Sequence, residues 1–203
     1  MRNFLFVILA MLQTAVFAQN LQDKWTVEAE SPDTRVVLQS DGVIDMLSPK
    51  GLTLWYNERM SGDVVIEYDA QVVNNGADGE RTSDLNCFWM AQDPKNPDNI
   101  FKRLEWRGGV FLKSYSLQLY YLGFGGNSNT TTRFRKYDGD ERGIKDEKYR
   151  PAILKEYKDE KHLLKPNHWY HIKLVSQKGR VKYFIDGECL VDFADKQLTS
   201  GWF

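Results

Sequence analysis

The chain has 203 residues, with 27 Lys and Arg against 28 Asp and Glu and an aromatic fraction of 13%. Near-neutral charge excludes the basic excess expected of a nucleic-acid binder. The length suits one domain with a substantial core.

Arg2 precedes an apolar run over residues 4–12, and Val16-Phe17-Ala18 offers a signal-peptidase site. That pattern predicts a secretory signal over residues 1–18, too short to span a bilayer, with no cysteine at the cleavage point for a lipid anchor. The protein is therefore expected to be secreted, periplasmic or extracellular. The remainder holds no apolar stretch long enough for a membrane helix, so residues 19–203 read as one domain free of the membrane.

From there on the dominant period is two. Over residues 64–73, Val64, Ile66, Tyr68, Ala70 and Val72 fall on one face, while Glu67, Asp69 and Gln71 share the other. That is a half-buried strand. Shorter segments of the same kind occupy residues 25–30, 35–39, 43–47, 52–56, 85–90, 117–122, 131–137, 169–176, 180–186 and 188–193. Turn signals separate many of them, among them Ser40-Asp41-Gly42, Pro49-Lys50-Gly51, Ser61-Gly62-Asp63, Gln177-Lys178-Gly179 and Asp186-Gly187. Such an array predicts an all-β antiparallel sandwich or jelly roll. Residues 138–161 are strongly charged and read as one long surface loop, helical at most over 149–161. Loops of that length in a compact domain are usually functional or disordered. Residues 198–203 look like a turn and the start of another strand, as though the sandwich were cut before its last one. Cys87 and Cys189 each sit in an apolar strand; they pair in an oxidising compartment or stand as two buried thiols, and spacing alone does not choose.

The run His171-Ile172-Lys173-Leu174-Val175, followed by Gly179 to Glu188 with its Ile185-Asp186-Gly187 turn, resembles the late hairpins of concanavalin A-like lectin/glucanase sandwiches. Arg81 to Ala91 and Tyr120 to Arg135 narrow the likeness. Together these blocks resemble a family of secreted bacterial domains of uncharacterised function, related to the YesU-like proteins of rhamnogalacturonan-use clusters. The resemblance implies a concanavalin A-like fold and a setting among polysaccharide-degrading proteins. It supplies no catalytic residues.

A sugar site needs aromatic rings for the apolar faces of the ring, and polar side chains that form paired hydrogen bonds with its hydroxyls. On the strand at 131–137, Thr131, Arg133, Arg135 and Tyr137 share one face. They read either as a cradle for an acidic sugar or as a solvated outer face balanced by acids such as Glu67 and Asp69. On the strand at 85–90 the alternation sets Leu85, Cys87 and Trp89 against Asp84, Asn86, Phe88 and Met90. Asp84 and Asn86 then either bind a ligand or tie down a loop. The glycine-rich stretch Gly123 to Asn129 lacks the Gly-Lys-Ser/Thr ending of a phosphate loop, which excludes nucleotide binding; Asn127 or Asn129 reaches a ligand from its rim, or the stretch is a plain hairpin turn. His162, His168 and His171 lack zinc spacing. Only His162 is a candidate acid or base, the other two reading as structural.

Two functions follow. One is a lyase or hydrolase for an acidic plant or algal polysaccharide, with Arg133 and Arg135 neutralising a uronate and Tyr137 or His162 as base. No Glu-x-Asp-x-Glu pattern supports ordinary hydrolysis, and Glu67-Tyr68-Asp69 is expected on the convex sheet. The other is a non-catalytic carbohydrate-binding module that holds a polysaccharide or oligosaccharide through Asp84, Asn86, Trp89, Tyr120, Tyr121, Asn127 and the arginines. No cofactor is expected. A structural calcium would find oxygen ligands in Asp93-Pro94-Lys95-Asn96-Pro97-Asp98, and the sequence carries no sign of oligomeric state.

Overall fold

The computed structural model describes residues 20–203. The segment read as a secretory signal lies outside the described residues. Among those described, no helix is long and apolar enough to cross a membrane.

The strands, in chain order, are β1 (Trp25–Ala29), β2 (Arg35–Leu38), β3 (Ile44–Leu47), β4 (Leu52–Tyr56), β5 (Met60–Ser61), β6 (Val64–Ala70), β7 (Leu85–Gln92), β8 (Gln118–Gly125), β9 (Thr131–Asp138), β10 (Ile153–Tyr157), β11 (Tyr170–Gln177), β12 (Arg180–Ile185), β13 (Glu188–Ala194) and β14 (Ser200–Gly201). Two antiparallel four-stranded sheets dominate, ordered β10-β9-β8-β7 and β13-β12-β11-β6. They stack face to face as a β-sandwich. Between them Trp89, Tyr120, Leu122, Phe124 and Phe134 meet Ile172, Leu174, Val181, Tyr183 and Val191.

The two sheets differ in what covers their outer faces. β6 alternates between half-buried and exposed residues, and its outward Glu67 and Asp69 pair with Lys173 and His171 on β11. That face meets water. In β8 every residue after Gln118 is buried, so its outer face must also be covered. A second apolar cluster does this, with Trp55, Ile100, Tyr115, Leu119, Tyr121, Tyr137 and Trp202 buried and Phe88 and Leu112 packed on it.

Much of the cover is the β7–β8 connection, short helical turns at Ile100–Arg103, Leu104–Arg107 and Phe111–Ser116. One buried ion pair pins it. Arg107, 1% exposed, donates through Nη2 to Glu28 Oε2 at 2.8 Å and through Nη1 to the Ile100 carbonyl at 3.0 Å. Glu28 also accepts from Trp55 Nε1 and from the Gly109 amide. Buried charges persist where every donor and acceptor is met in this way.

Three expectations change. Residues 153–157 form edge strand β10 paired with β9, not loop or helix; their charged, exposed side chains hide a strand that is apolar mainly at Ile153, Leu154 and Tyr157. Met90 joins Trp89 in the inter-sheet core, because a bulge between Trp89 and Gln92, with Met90 at φ 54°, breaks the alternation. Cys87 is buried and Cys189 exposed, and both thiols are free. The strand start expected near residue 200 is present: Ser200–Gly201 pairs with β5, and Trp202 exchanges backbone hydrogen bonds with Ala91 at the end of β7.

Candidate functional site

Where the cover stops, the outer face of the first sheet opens into a cavity of about 340 Å³. Register builds its floor. Asn86 on β7 lies opposite Gly123 on β8, which lies opposite Arg133 on β9, which lies opposite Glu156 on β10. The next row is Phe88, Tyr121 and Arg135. Residues two apart on a strand face the same way, so polar groups from three strands converge on the gap that Gly123 leaves. Its glycine is required there: a Cβ would sit 2.2 Å from the Tyr121 hydroxyl, which leans along the strand over position 123.

Asp84, Asn127 and Thr131 line one end of the pocket, Phe111, Leu112 and Tyr115 one wall, and Arg135 and Arg150 line it further. The hairpin joining β8 to β9 holds Asn127, Ser128 and Asn129 all in the left-handed region, which asparagine tolerates well. Asn129 serves structure, bonding both the amide and the carbonyl of Leu164. Asp84 is also left-handed, at φ 63°, and takes hydrogen bonds from Ser83 Oγ at 2.6 Å and an ion pair with Arg81 at 3.0 Å.

The arginines are held differently. Arg133 Nε donates to Glu156 Oε1 at 2.6 Å. Hydrogen bonds from Lys158 and then Arg133 hold the Glu156 carboxyl below its ordinary range. Arg135 donates to the Pro151 carbonyl. Arg150 pairs with the exposed Glu147 at 2.5 Å. Burial pushes the hydroxyls of Tyr115 and Tyr121 up, so both stay protonated at neutral pH.

Of the residues singled out in the sequence, Asp84, Asn86, Tyr121, Asn127, Arg133 and Arg135 meet in this pocket. The others are placed elsewhere. Trp89 points between the sheets against Tyr120, Phe134 and Tyr183, because the buried face of β7 is the one it shares with Cys87. Tyr137 is on the arginine face but fully buried, roofed by Tyr115 at 5.1 Å between ring centroids. His162 lies behind β9: its carbonyl accepts from Thr132, which faces away from Arg133, and its ring is held by Asp159 at 2.7 Å and stacks on Tyr157. Tyr120 is a core residue bonded to Asp195. Glu67 and Asp69 lie on the outer face of the other sheet and balance none of the arginines.

Arg150, Phe111 and Tyr115 were not legible as site residues. A weak sign was available for the latter two: the long stretch between two strong strands had no assigned role, and such stretches tend to carry function. In the oxygen-rich loop after β7, Asp93 is fully buried and accepts from the Lys95 amide, Asn96 Nδ2 and Arg103. Its oxygens are thus engaged by protein donors. Among the described residues no group of three or more His, Cys, Asp or Glu side chains is gathered to hold a metal.

Residues 46–203 match the model of the family described as a domain of unknown function, DUF6250, and the chain belongs to that family. No curated protein matches it in sequence. Among solved structures it is similar to a protein of unknown function with a galectin-like fold from Bacillus subtilis, at 16% identity and a TM-score of 0.62, over 90% of this chain and 81% of that one. It is also similar to the carbohydrate-binding module CBM66 from Bacillus subtilis, at 15% identity and a TM-score of 0.55, over 89% and 84%. A third likeness is to the exoplasmic/lumenal domain of VIP36 in its Ca2+/Man-bound form, at 13% identity and a TM-score of 0.54, over 88% and 72%. At these identities the likeness is one of fold, a concanavalin A-like β-sandwich.

Proposed function

We propose that this member of the DUF6250 family is a secreted saccharide-binding module that holds an acidic polysaccharide or oligosaccharide on the outer face of its first sheet. The reading rests on one observation. Six polar or aromatic side chains nominated from sequence, on β7, β8, β9 and the adjoining turns, line one pocket, with Phe111 beside them as a partly exposed ring. Rings and paired polar groups are what a pyranose requires. One fold neighbour, CBM66, is a carbohydrate-binding module, which is consistent with this reading. The proposal takes with it the finer kinship to the YesU-like proteins, whose galacturonate-containing polymers would suit a pocket lined by three arginines.

Binding is preferred to catalysis on chemical grounds. Asp84 is the carboxylate among the lining residues, whereas a glycosidase needs a pair. Tyr115 and Tyr121, with their hydroxyls raised, are poor bases for removing the proton next to a uronate. Affinity electrophoresis in gels containing pectic or other uronate-rich polysaccharides, with the same mixtures watched for unsaturated uronate, tests the reading. Retarded migration without new absorbance is the expected result. Accumulating unsaturated product would make the protein a lyase, and unretarded migration in every polymer would remove the saccharide reading.

A further inference from the structure

The charged groups of the pocket are not equivalent, and their partners rank them. Arg133 has its charge offset by the Glu156 carboxylate, itself half-buried beside it. Arg135 donates to the Pro151 carbonyl, a neutral acceptor that leaves its charge uncompensated. Burial raises the hydroxyls of Tyr115, Tyr121 and Tyr137, and the pull in the opposite direction from Arg135 acts on all three. Arg150 adds to that pull at Tyr115, and its exposed partner Glu147 works against it, so Arg135 is the stronger of the two. The positive pole of the pocket is therefore on the Arg135 row, near the aromatic wall.

Two further atoms are conspicuous because nothing satisfies them. Arg150 Nε and Asn86 Oδ1 are each withdrawn from solvent with no hydrogen-bond partner. One is a donor lacking an acceptor, the other an acceptor lacking a donor. Native structures rarely leave such groups unmatched, and of the seven such atoms among the described residues only these two belong to side chains that line the pocket. Asn86 and Arg135 stand on β7 and β9 with β8 between them and one row apart, so two strand spacings and a two-residue step set their Cα atoms about 12 Å apart. With both side chains reaching inward, the space left between them is on the scale of one sugar unit, within the cavity of about 340 Å³.

We infer that Arg135, with Arg150, is the anion-binding end of the pocket and Asn86 its hydroxyl-reading end. The bound unit is then a uronate, its carboxylate at Arg135 and a ring hydroxyl donating to Asn86. This rests on the saccharide-binding reading and adds polarity, orientation and a ranking of the arginines. A guanidinium meets a planar carboxylate with two parallel hydrogen bonds, and the surrounding rings exclude water that would weaken them.

Isothermal titration with trigalacturonate, galactotriose and a sulfated galactotriose tests it. The wild-type protein is expected to bind trigalacturonate at least tenfold more tightly than galactotriose. Arg135→Gln should remove that preference while galactotriose affinity stays within about twofold, and Arg135→Lys, which restores the charge, should recover part of it. Asn86→Leu should weaken both trisaccharides about equally. Arg133→Gln should cost trigalacturonate less than Arg135→Gln does. The inference is overturned if Arg133→Gln is the more damaging, if Arg135→Gln binds trigalacturonate like wild type, or if the sulfated sugar binds more tightly than the uronate. Equal wild-type affinity for trigalacturonate and galactotriose would sink the inference alone. Binding of none of the three would take the saccharide reading with it.

Discussion

Tyr121 leans along β8 so far that its hydroxyl occupies the place where a Cβ on Gly123 would be, 2.2 Å from it. The two residues are one structural unit: the ring makes the floor, and the missing side chain makes room for ring and ligand together.

Replacing Gly123 with Ala is therefore expected to displace the Tyr121 ring. That ring is hemmed in by Phe88 and Phe111 at 5.4 and 5.6 Å between centroids, so it has little room to move. Overpacking of this kind costs about 1–3 kcal/mol. The urea midpoint should fall accordingly, and saccharide affinity should fall by more than the stability loss explains, since the variant remains folded at 25 °C.

Glu28 anchors the wall of the pocket through Arg107. Glu28→Ala would leave a buried guanidinium without its carboxylate, a change that costs about 3–5 kcal/mol. Glu28→Gln keeps an acceptor and should cost less. Denaturant unfolding measures both, and hydrogen exchange should quicken first over residues 104–116. A loss below about 1 kcal/mol for the alanine variant would show that the pair is not what holds the segment.

Stability should fall on the acid side, in part through Asp195. Burial alone would raise its carboxyl, but Lys136 Nζ at 2.5 Å, the Gln197 amide and the Tyr120 hydroxyl more than offset that and hold it below its ordinary value. A depressed folded value means that the contribution is complete above the unfolded carboxylate value near 3.9 and is lost as pH falls through the folded one. Asp195→Asn should lower the melting temperature at neutral pH and flatten its decline below about pH 4. A decline as steep as wild type's in that variant would assign the acid limb to other carboxylates.

The two thiols should differ sharply. Cys87 lies in the inter-sheet core, where burial pushes its thiol up to about 12, so it is neither ionised nor reachable. Cys189 is exposed. Titration of the native protein with a chromogenic disulfide at pH 8 should modify one thiol quickly and the second only after denaturant is added. Two fast equivalents would mean that the core opens readily around β7.

Much of this architecture could be read from alternation. Val64 to Ala70 alternates and proves to have one wet face. Leu119 to Gly125 carries no charge at all and proves to be covered on both sides. The same rule put Arg133 and Arg135 on one strand face, and strand register then brings Asn86 to the same surface. It failed where something beyond period two intervened. The bulge at Met90 reversed one side chain. Tyr137 faces the right way, but the segment ending at Ser116 roofs it, and no pattern within β9 reveals a lid made elsewhere. His162 was misplaced because only the path of the chain behind β9 decides its side. Strand β10 hid behind Lys155 and Glu156, since an edge strand exposes its polar groups much as a loop does.

Because β8 has no surface of its own, the pocket divides into parts with different freedom to evolve. Gly123 and Tyr121 are locked by close packing, so drift at those positions would damage the whole fold. Asp84, Asn127 and Arg150 sit on loops or turns at the margin, where exchanges leave the scaffold intact. A lineage built on this frame can thus vary how the margin grips a ligand while Arg135 and Asn86, carried on the strands, keep the choice of unit.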